Sequence, residues 1–390
     1  MLRTSKLTLA LFFPMIVAGC GAHSCAPGGA AAAPHAAASA PLPPLVVDAR
    51  GCVADVRPVA STVERGFCFA HSWEDGGARG YGTETSAREL DRLKALGADW
   101  ISVTPFGYVE SLDATEVHLP GEMRGAESDA RVRRELAAAH SRGLHVLLKP
   151  HLWVHGGEWV NQVEPGSEAG WASWLASYRV FILHYAALAQ ETGAETLAVG
   201  VELGSTVRHE AWWRETIAQV RAAYHGKLVY CASWDRADAV HFWDALDFVG
   251  AQFYASVAAS RDDTDEAAMR VRLDAELDRL GALSARVSRP VLFTEVGYKS
   301  IHGATYRPHE WPEAIDRAHA VCDCDSQARA YRLFFAGIEG RAWVRGVYVW
   351  KWFTDPDTTE EGPLGFSPRG KPAEAVLRTA YRGAACADAR

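Results

Sequence analysis

The chain has 390 residues, with 40 Lys+Arg against 48 Asp+Glu and a formal net charge of −8. That balance excludes a basic nucleic-acid binder, because nothing neutralises a run of phosphates. A content of 48% hydrophobic and 23% charged residues excludes a disordered or fibrous chain. Fourteen Trp, beside the Tyr and Phe, supply flat apolar faces that suit either a core or a cleft for a flat-faced ligand such as a sugar ring.

Arg3 and Lys6 precede the apolar run Leu7–Val17, the charged-then-apolar order of a secretory signal. The run is too short to span a bilayer comfortably. It ends Val17-Ala18-Gly19-Cys20, which resembles a bacterial lipobox. Residues 1–19 are therefore expected to be a lipoprotein signal peptide, with Cys20 carrying the lipid. Gly21 follows instead of Asp, which in a Gram-negative organism implies outer-membrane sorting. The expected location is outside the cytoplasm, anchored at the outer membrane or cell surface.

Residues 20–45 are Ala, Pro, Gly and Ser with almost no charge and read as a disordered tether. A lead-in over 46–65 precedes a folded domain over 66–390. Export permits disulfides among the cysteines that remain. Cys68 and Cys231 lie in apolar runs and read as buried thiols. Cys322-Asp-Cys324 has no second Cys or His pair at zinc spacing, so no metal is expected.

From residue 66 short apolar runs alternate with amphipathic stretches. The runs are 66–70, 99–106, 145–153, 196–204, 227–234, 248–256, 290–298 and 346–353, mostly continuous, as expected of parallel strands covered on both faces. Ser86-Ala-Arg-Glu89 reads as a capping box for a helix carrying Leu90, Leu93 and Leu96 and stopped by Gly97. A second helix opens at Asp129 and ends by Gly143. A third carries the stripe Trp171, Trp174, Leu175, Tyr178, Phe181, Ile182, Tyr185 and Leu188. Further helices are expected near 210–224, 238–246, 265–286, 325–340 and 372–382. Eight strand–helix units predict a single (β/α)8 TIM barrel. A doubly wound sheet is the runner-up, but Gly76-Gly77-Ala78-Arg79-Gly80 has the wrong spacing for its phosphate loop.

In such a barrel the chemistry lies where strands end. Those ends carry His71 and Trp73, then Tyr108 and Glu110, then Lys149, His151 and Trp153, then Glu202, Trp234, Tyr254, Glu295 and Trp350. Glu202, in Ala-Val-Gly-Val-Glu-Leu-Gly, and Glu295, in Val-Leu-Phe-Thr-Glu-Val-Gly-Tyr, are lone carboxylates in apolar runs, where an unpaired charge is costly. Either each has a buried basic partner, or the two face one another across the mouth. The second arrangement, among Trp and Tyr, suits glycoside hydrolysis: one carboxyl stays protonated and the other ionised.

Several segments together resemble glycoside hydrolase family 113 within the clan A hydrolases. They are Val-Gly-Val-Glu-Leu-Gly (199–204), Ser-Trp-Asp (233–235), Trp-Asp-Ala-Leu-Asp-Phe-Val-Gly (243–250), Phe-Thr-Glu-Val-Gly-Tyr-Lys-Ser (293–300) and Gly-Lys-Pro-Ala (370–373). The resemblance spans roughly 66–382. It implies a retaining β-1,4-mannanase-like enzyme, with Glu202 as acid/base and Glu295 as nucleophile. Many clan members place Asn before the acid, where it bonds the sugar 2-hydroxyl; Val201 stands there in this chain.

By position, Tyr254 would orient Glu295, and Trp350 would form the floor under the sugar at the cleaved bond. Trp234 and Trp153 would stack neighbouring sugars, with Trp73 a further candidate. Lys149 and His151 would bond sugar hydroxyls, or Lys149 would pair with a Glu. The loop 355–361 reads as a cleft rim or as a solvated loop. The expected partner is a β-linked polysaccharide or oligosaccharide, acted on by a monomer without cofactor. Two alternatives stand beside this: a metal-dependent barrel hydrolase using His71, His151 and His155, and a non-catalytic glycan-binding lipoprotein.

Overall fold

The computed structural model describes residues 45–48, 51–120, 127–310 and 320–382. The signal peptide, Cys20, nearly all of the tether, Cys25 and Cys386 lie outside the described residues. The strands are β1 (Glu64–Ala70), β2 (Trp100–Val103), β3 (Phe106–Val109), β4 (His145–Leu148), β5 (His151–Val154), β6 (Thr196–Val201), β7 (Lys227–Ser233), β8 (Phe248–Phe253), β9 (Val291–Val296) and β10 (Val344–Phe353). The helices are a single turn α1 (Glu74–Gly77), then α2 (Glu84–Leu96), α3 (Asp129–His140), α4 (Glu168–Thr192), α5 (Glu210–Ala223), α6 (Glu266–Val287), α7 (Cys324–Ile338) and α8 (Pro372–Arg382).

Eight parallel strands close in the order β1-β10-β9-β8-β7-β6-β4-β2, the expected TIM barrel. The second and third apolar runs do not continue as single strands. Pairing of β2 with β4 stops at Val103↔Leu148 and resumes as a separate two-stranded sheet at Phe106↔His151. Pro105 and Pro150 lie in the gap, and neither has an N–H to donate to a ladder. The sheet β3–β5 therefore stands on the barrel rim as an added piece of wall.

The first helix also starts earlier than its sequence suggests. Thr83 is the N-cap and accepts from the Ser86 N–H at 3.2 Å. Ser86 and Glu89 do not form a capping box; each is drawn into a tertiary contact. Ser86 donates to Glu135, and Glu89 accepts from Trp352 Nε1 at 2.8 Å. Gly97 ends α2 in the left-handed conformation, φ 102°. The helix expected at 238–246 is replaced by two 3₁₀ turns, Trp234–Ala239 and Trp243–Ala245. Phe242 and Trp243 are both buried, whereas an α-helix would turn adjacent residues about 100° apart.

Apolar side chains fill two spaces. The larger lies between strands and helices and takes the stripe of α4, with Trp174 stacked on Tyr178. The smaller, inside the barrel, gathers Cys68, Leu147, Ala198, Val201, Val229 and Cys231 among others. Cys68 and Cys231 are buried free thiols, as expected. Cys52 and Cys324 are disulfide-bonded, whereas Cys322 is a free, exposed thiol. The lead-in packs on α8: Val53 and Val56 are buried, and the Val59 N–H donates to the Ala380 carbonyl. No helix of the described residues is long and apolar enough to cross a membrane.

Candidate active site

The strand ends surround a cavity of about 440 Å³ that holds both Glu202 and Glu295 on its walls. Its volume lies in the range of small-molecule sites.

Glu295 sits in β9 and is buried. Lys149 Nζ donates to its Oε1, and the Tyr254 hydroxyl donates to its Oε2 at 2.7 Å. Lys149 follows β4 directly and is wholly buried, with its Nζ 5.2 Å from the Trp350 ring centroid. Burial alone would push the Lys149 ammonium down. The charge of the Glu295 carboxylate it donates to opposes this, and the ammonium is held above its usual range. Both oxygens of Glu295 thus accept a hydrogen bond, one from an ammonium and one from a phenol. Of the two options for Lys149, the structure takes pairing with a Glu.

Glu202 follows β6 with φ 51°, a left-handed conformation that few non-glycine residues adopt. The backbone is pinned there by its N–H, which donates to the Cys231 carbonyl at 2.9 Å. Trp159 Nε1 donates to Oε2 at 2.8 Å, and the Ser233 hydroxyl to Oε1 at 3.2 Å. Burial pushes the carboxyl up to about 7, with the charge of Glu295 adding to the effect and the two donors opposing it. One cavity thus holds a carboxyl clamped by an ammonium and a phenol and another that keeps a proton near neutrality.

Trp350, Trp234, Trp153 and His151 all line this cavity. His151 Nδ1 lies 2.9 Å from the Leu152 carbonyl. Burial, with Lys149 nearby, pushes its pKa down to about 4 despite the Glu295 charge, so the ring is neutral. Trp73 is not brought to the cavity. Asp75 and Gly76, just after it, are both left-handed. The Trp73 ring lies edge-on to His71, at 5.1 Å between centroids. His71 itself is tied back, its Nδ1 accepting from the Tyr81 N–H. Among the described residues no group of three His, Cys, Asp or Glu side chains is placed to hold a metal ion.

The loop 355–361 is solvated only in part: Asp357 and Thr359 are exposed. Asp355 and Glu361 are buried and paired with Arg79 and Lys351. Trp159, Gln252, His309 and Phe366 reach the site region without having been singled out from the sequence, and Ser233, quoted there only within the Ser-Trp-Asp motif, donates to Glu202. Gln252 is the most telling: it is buried in β8, and its Oε1 has no hydrogen-bond partner. Val201, by contrast, points into the apolar barrel interior.

Residues 70–365 match Glycoside Hydrolase Family 113. A solved GH113 β-1,4-mannanase, in a complex, is 28% identical with a TM-score of 0.71, over 82% of this chain and 99% of its own. The GH113 β-mannanase of Alicyclobacillus acidocaldarius, in complex with ManMIm, is 27% identical with a TM-score of 0.72, over 82% of this chain and 97% of its own. A β-glucuronidase of Faecalibacterium prausnitzii, at 15% identity and a TM-score of 0.55, shares the fold alone. No curated protein matches the chain. The chain belongs to glycoside hydrolase family 113 and is an enzyme of O-glycosyl bond hydrolysis.

Proposed function

We propose that this enzyme cleaves β-1,4-linked mannan-type chains with retention, through a covalent glycosyl-enzyme. Glu295 Oε attacks the anomeric carbon while Glu202 gives its proton to the leaving oxygen, so the glycosidic bond breaks as the ester forms. Glu202, now ionised, takes a proton from water; the resulting hydroxide displaces Glu295 and restores both groups. The observation that carries this reading is the opposite environment of the two carboxyls on one cavity wall: Lys149 and Tyr254 on Glu295, burial on Glu202. Trp350, Trp234 and Trp153 give stacking faces for sugar rings. With Val201 turned away, the Oε1 of Gln252 is the acceptor for a sugar hydroxyl. Two solved relatives at 27–28% identity are β-mannanases, which supports mannan as substrate.

Exchange of Glu295 for Gln removes nearly all turnover with the fold intact. Glu202→Ala spares substrates with good leaving groups and is rescued by azide, because proton donation and water activation alone are lost. Wild-type mannan hydrolysis by both variants would refute the assignment. We also propose export with lipid attachment at Cys20. The lipobox-like run supports it, as do the disulfide-bonded Cys52 and Cys324, which fit an oxidising compartment. Metabolic labelling with a lipid precursor, lost in Cys20→Ala, is the check.

A further inference from the structure

Two of the segments that resemble family 113 hold lysines that the proposed reaction does not use. Phe-Thr-Glu-Val-Gly-Tyr-Lys-Ser carries Lys299 and Ser300 beyond Glu295, and Gly-Lys-Pro-Ala carries Lys371. In the fold the two segments meet: Lys371 Nζ donates to the Ser300 hydroxyl at 2.6 Å.

Lys299 is 1% exposed. Among the described residues its ammonium pairs with no carboxylate. It donates to three carbonyl oxygens of one turn, those of Arg307 and Pro308, each at 3.4 Å, and that of Glu310. The Glu310 carboxylate is taken by Arg261, at 3.2 Å, and by Arg307, at 2.9 Å. Burial pushes the Lys299 ammonium down to about 8, with the Glu310 charge opposing it, so it keeps its proton at neutrality. Carbonyl oxygens that converge on one point need a cation among them, as where carbonyls replace the water around an ion. The turn also holds Arg307 in the left-handed region, φ 49°, which persists in a non-glycine residue only where the surroundings impose it. Lys299 supplies those surroundings together with Ser256, whose hydroxyl accepts from the Arg307 N–H at 3.0 Å.

This turn carries His309 to the central cavity, with its ring centroid 5.9 Å from that of Trp234. Lys299 Nζ also lies 5.5 Å from the ring centroid of Phe366, another residue of the cavity wall. The Ser300 N–H donates to the Leu364 and Gly365 carbonyls, both at 3.2 Å, just before that ring.

We propose that Lys299 is a positioning residue: its ammonium gathers the carbonyls of the 307–310 turn and so sets His309 in the cleft, from the chain segment that carries Glu295. The inference rests on the reading of that cavity as the site of hydrolysis. It gives a part in the reaction to a side chain outside the cavity wall.

The test measures mannotriose hydrolysis by the full chain. Lys299→Ala lowers kcat/KM by about 10- to 100-fold, the range for a misplaced contact. Propylammonium replaces the deleted atoms and restores most of the rate saturably; 1-propanol, of the same shape without the charge, does not. His309→Ala lowers kcat/KM by a similar factor, and adding Lys299→Ala to it costs less than about threefold more, because both act through one turn. Rescue by neither compound, or by propanol as well, would overturn the proposal. So would additive losses, or either single variant within about twofold of wild type. If Lys299→Ala does not fold, Lys299→Met fills the space without the charge, and its coupling to His309→Ala decides. Should the wild type cleave no mannotriose, the glycosidase reading fails by itself. Amide hydrogen exchange over 303–310 then decides: faster exchange in Lys299→Met upholds the tie, and equal exchange rejects it.

Discussion

Trp159 offers a direct handle on the proposed acid, Glu202. Its indole N–H donates to Glu202 Oε2 at 2.8 Å, and a donor to a carboxylate stabilises the ionised form. Trp159→Phe keeps an aromatic ring and deletes that donor. A hydrogen bond to a charged group contributes about 1.5–3 kcal/mol, or about one to two pKa units. Trp159 is 43% exposed, so solvent screening cuts this to about 0.5–1 unit. The sign follows: with the donor gone the carboxylate is less favoured, the proton is held to higher pH, and the acid form persists further. In the wild type, kcat/KM on mannotriose falls about tenfold per pH unit above the Glu202 value of about 7. In Trp159→Phe that alkaline limb moves up by about 0.5–1 unit while the acidic limb stays. A dinitrophenyl glycoside, whose leaving group needs no proton, shows no such displacement. A limb that stays in place or moves to lower pH would refute the reasoning.

Two further outcomes follow from the buried polar groups. Lys149→Met leaves Glu295 without its cation. Loss of one member of a buried pair costs about 3–5 kcal/mol, so denaturant unfolding shows a large loss of stability and turnover falls below detection; a variant as stable as wild type contradicts the ion pair. Gln252→Leu removes an amide whose Oε1 already lacks a partner. Unfolding stability holds or rises slightly, and kcat/KM drops about tenfold; unchanged kinetics would remove Gln252 from the site.

The barrel was legible because its signals are local: apolar runs, helical stripes and a glycine such as Gly97 at a helix end. The two carboxyls of the proposed reacting pair stood out for a related reason, since a lone Glu in an apolar strand is conspicuous without any knowledge of contacts. What was not legible depends on long-range partners. Ser86 and Glu89 have the spacing of a capping box, but Glu135 and Trp352 claim their side chains from distant elements. The prolines at 105 and 150 stand in plain view, yet each apolar run looks continuous across them. Trp159 lies in a Gly-rich loop with no periodicity to fix its direction. Gln252 hides in an apolar run that disguises a polar side chain facing the cavity. Trp73 does not line the central cavity, and the left-handed Asp75 and Gly76 that follow it leave no periodicity in the sequence to show where it points.

The left-handed backbone at Glu202 sets two demands against each other at a single position. Glycine or asparagine would occupy that φ with less strain, so the fold alone would choose differently from the proposed reaction. A screen that rewards heat resistance and ignores turnover should drift away from glutamate at 202, yielding hardier proteins that no longer cut sugar. The retained strain marks the site as clearly as the carboxyl does.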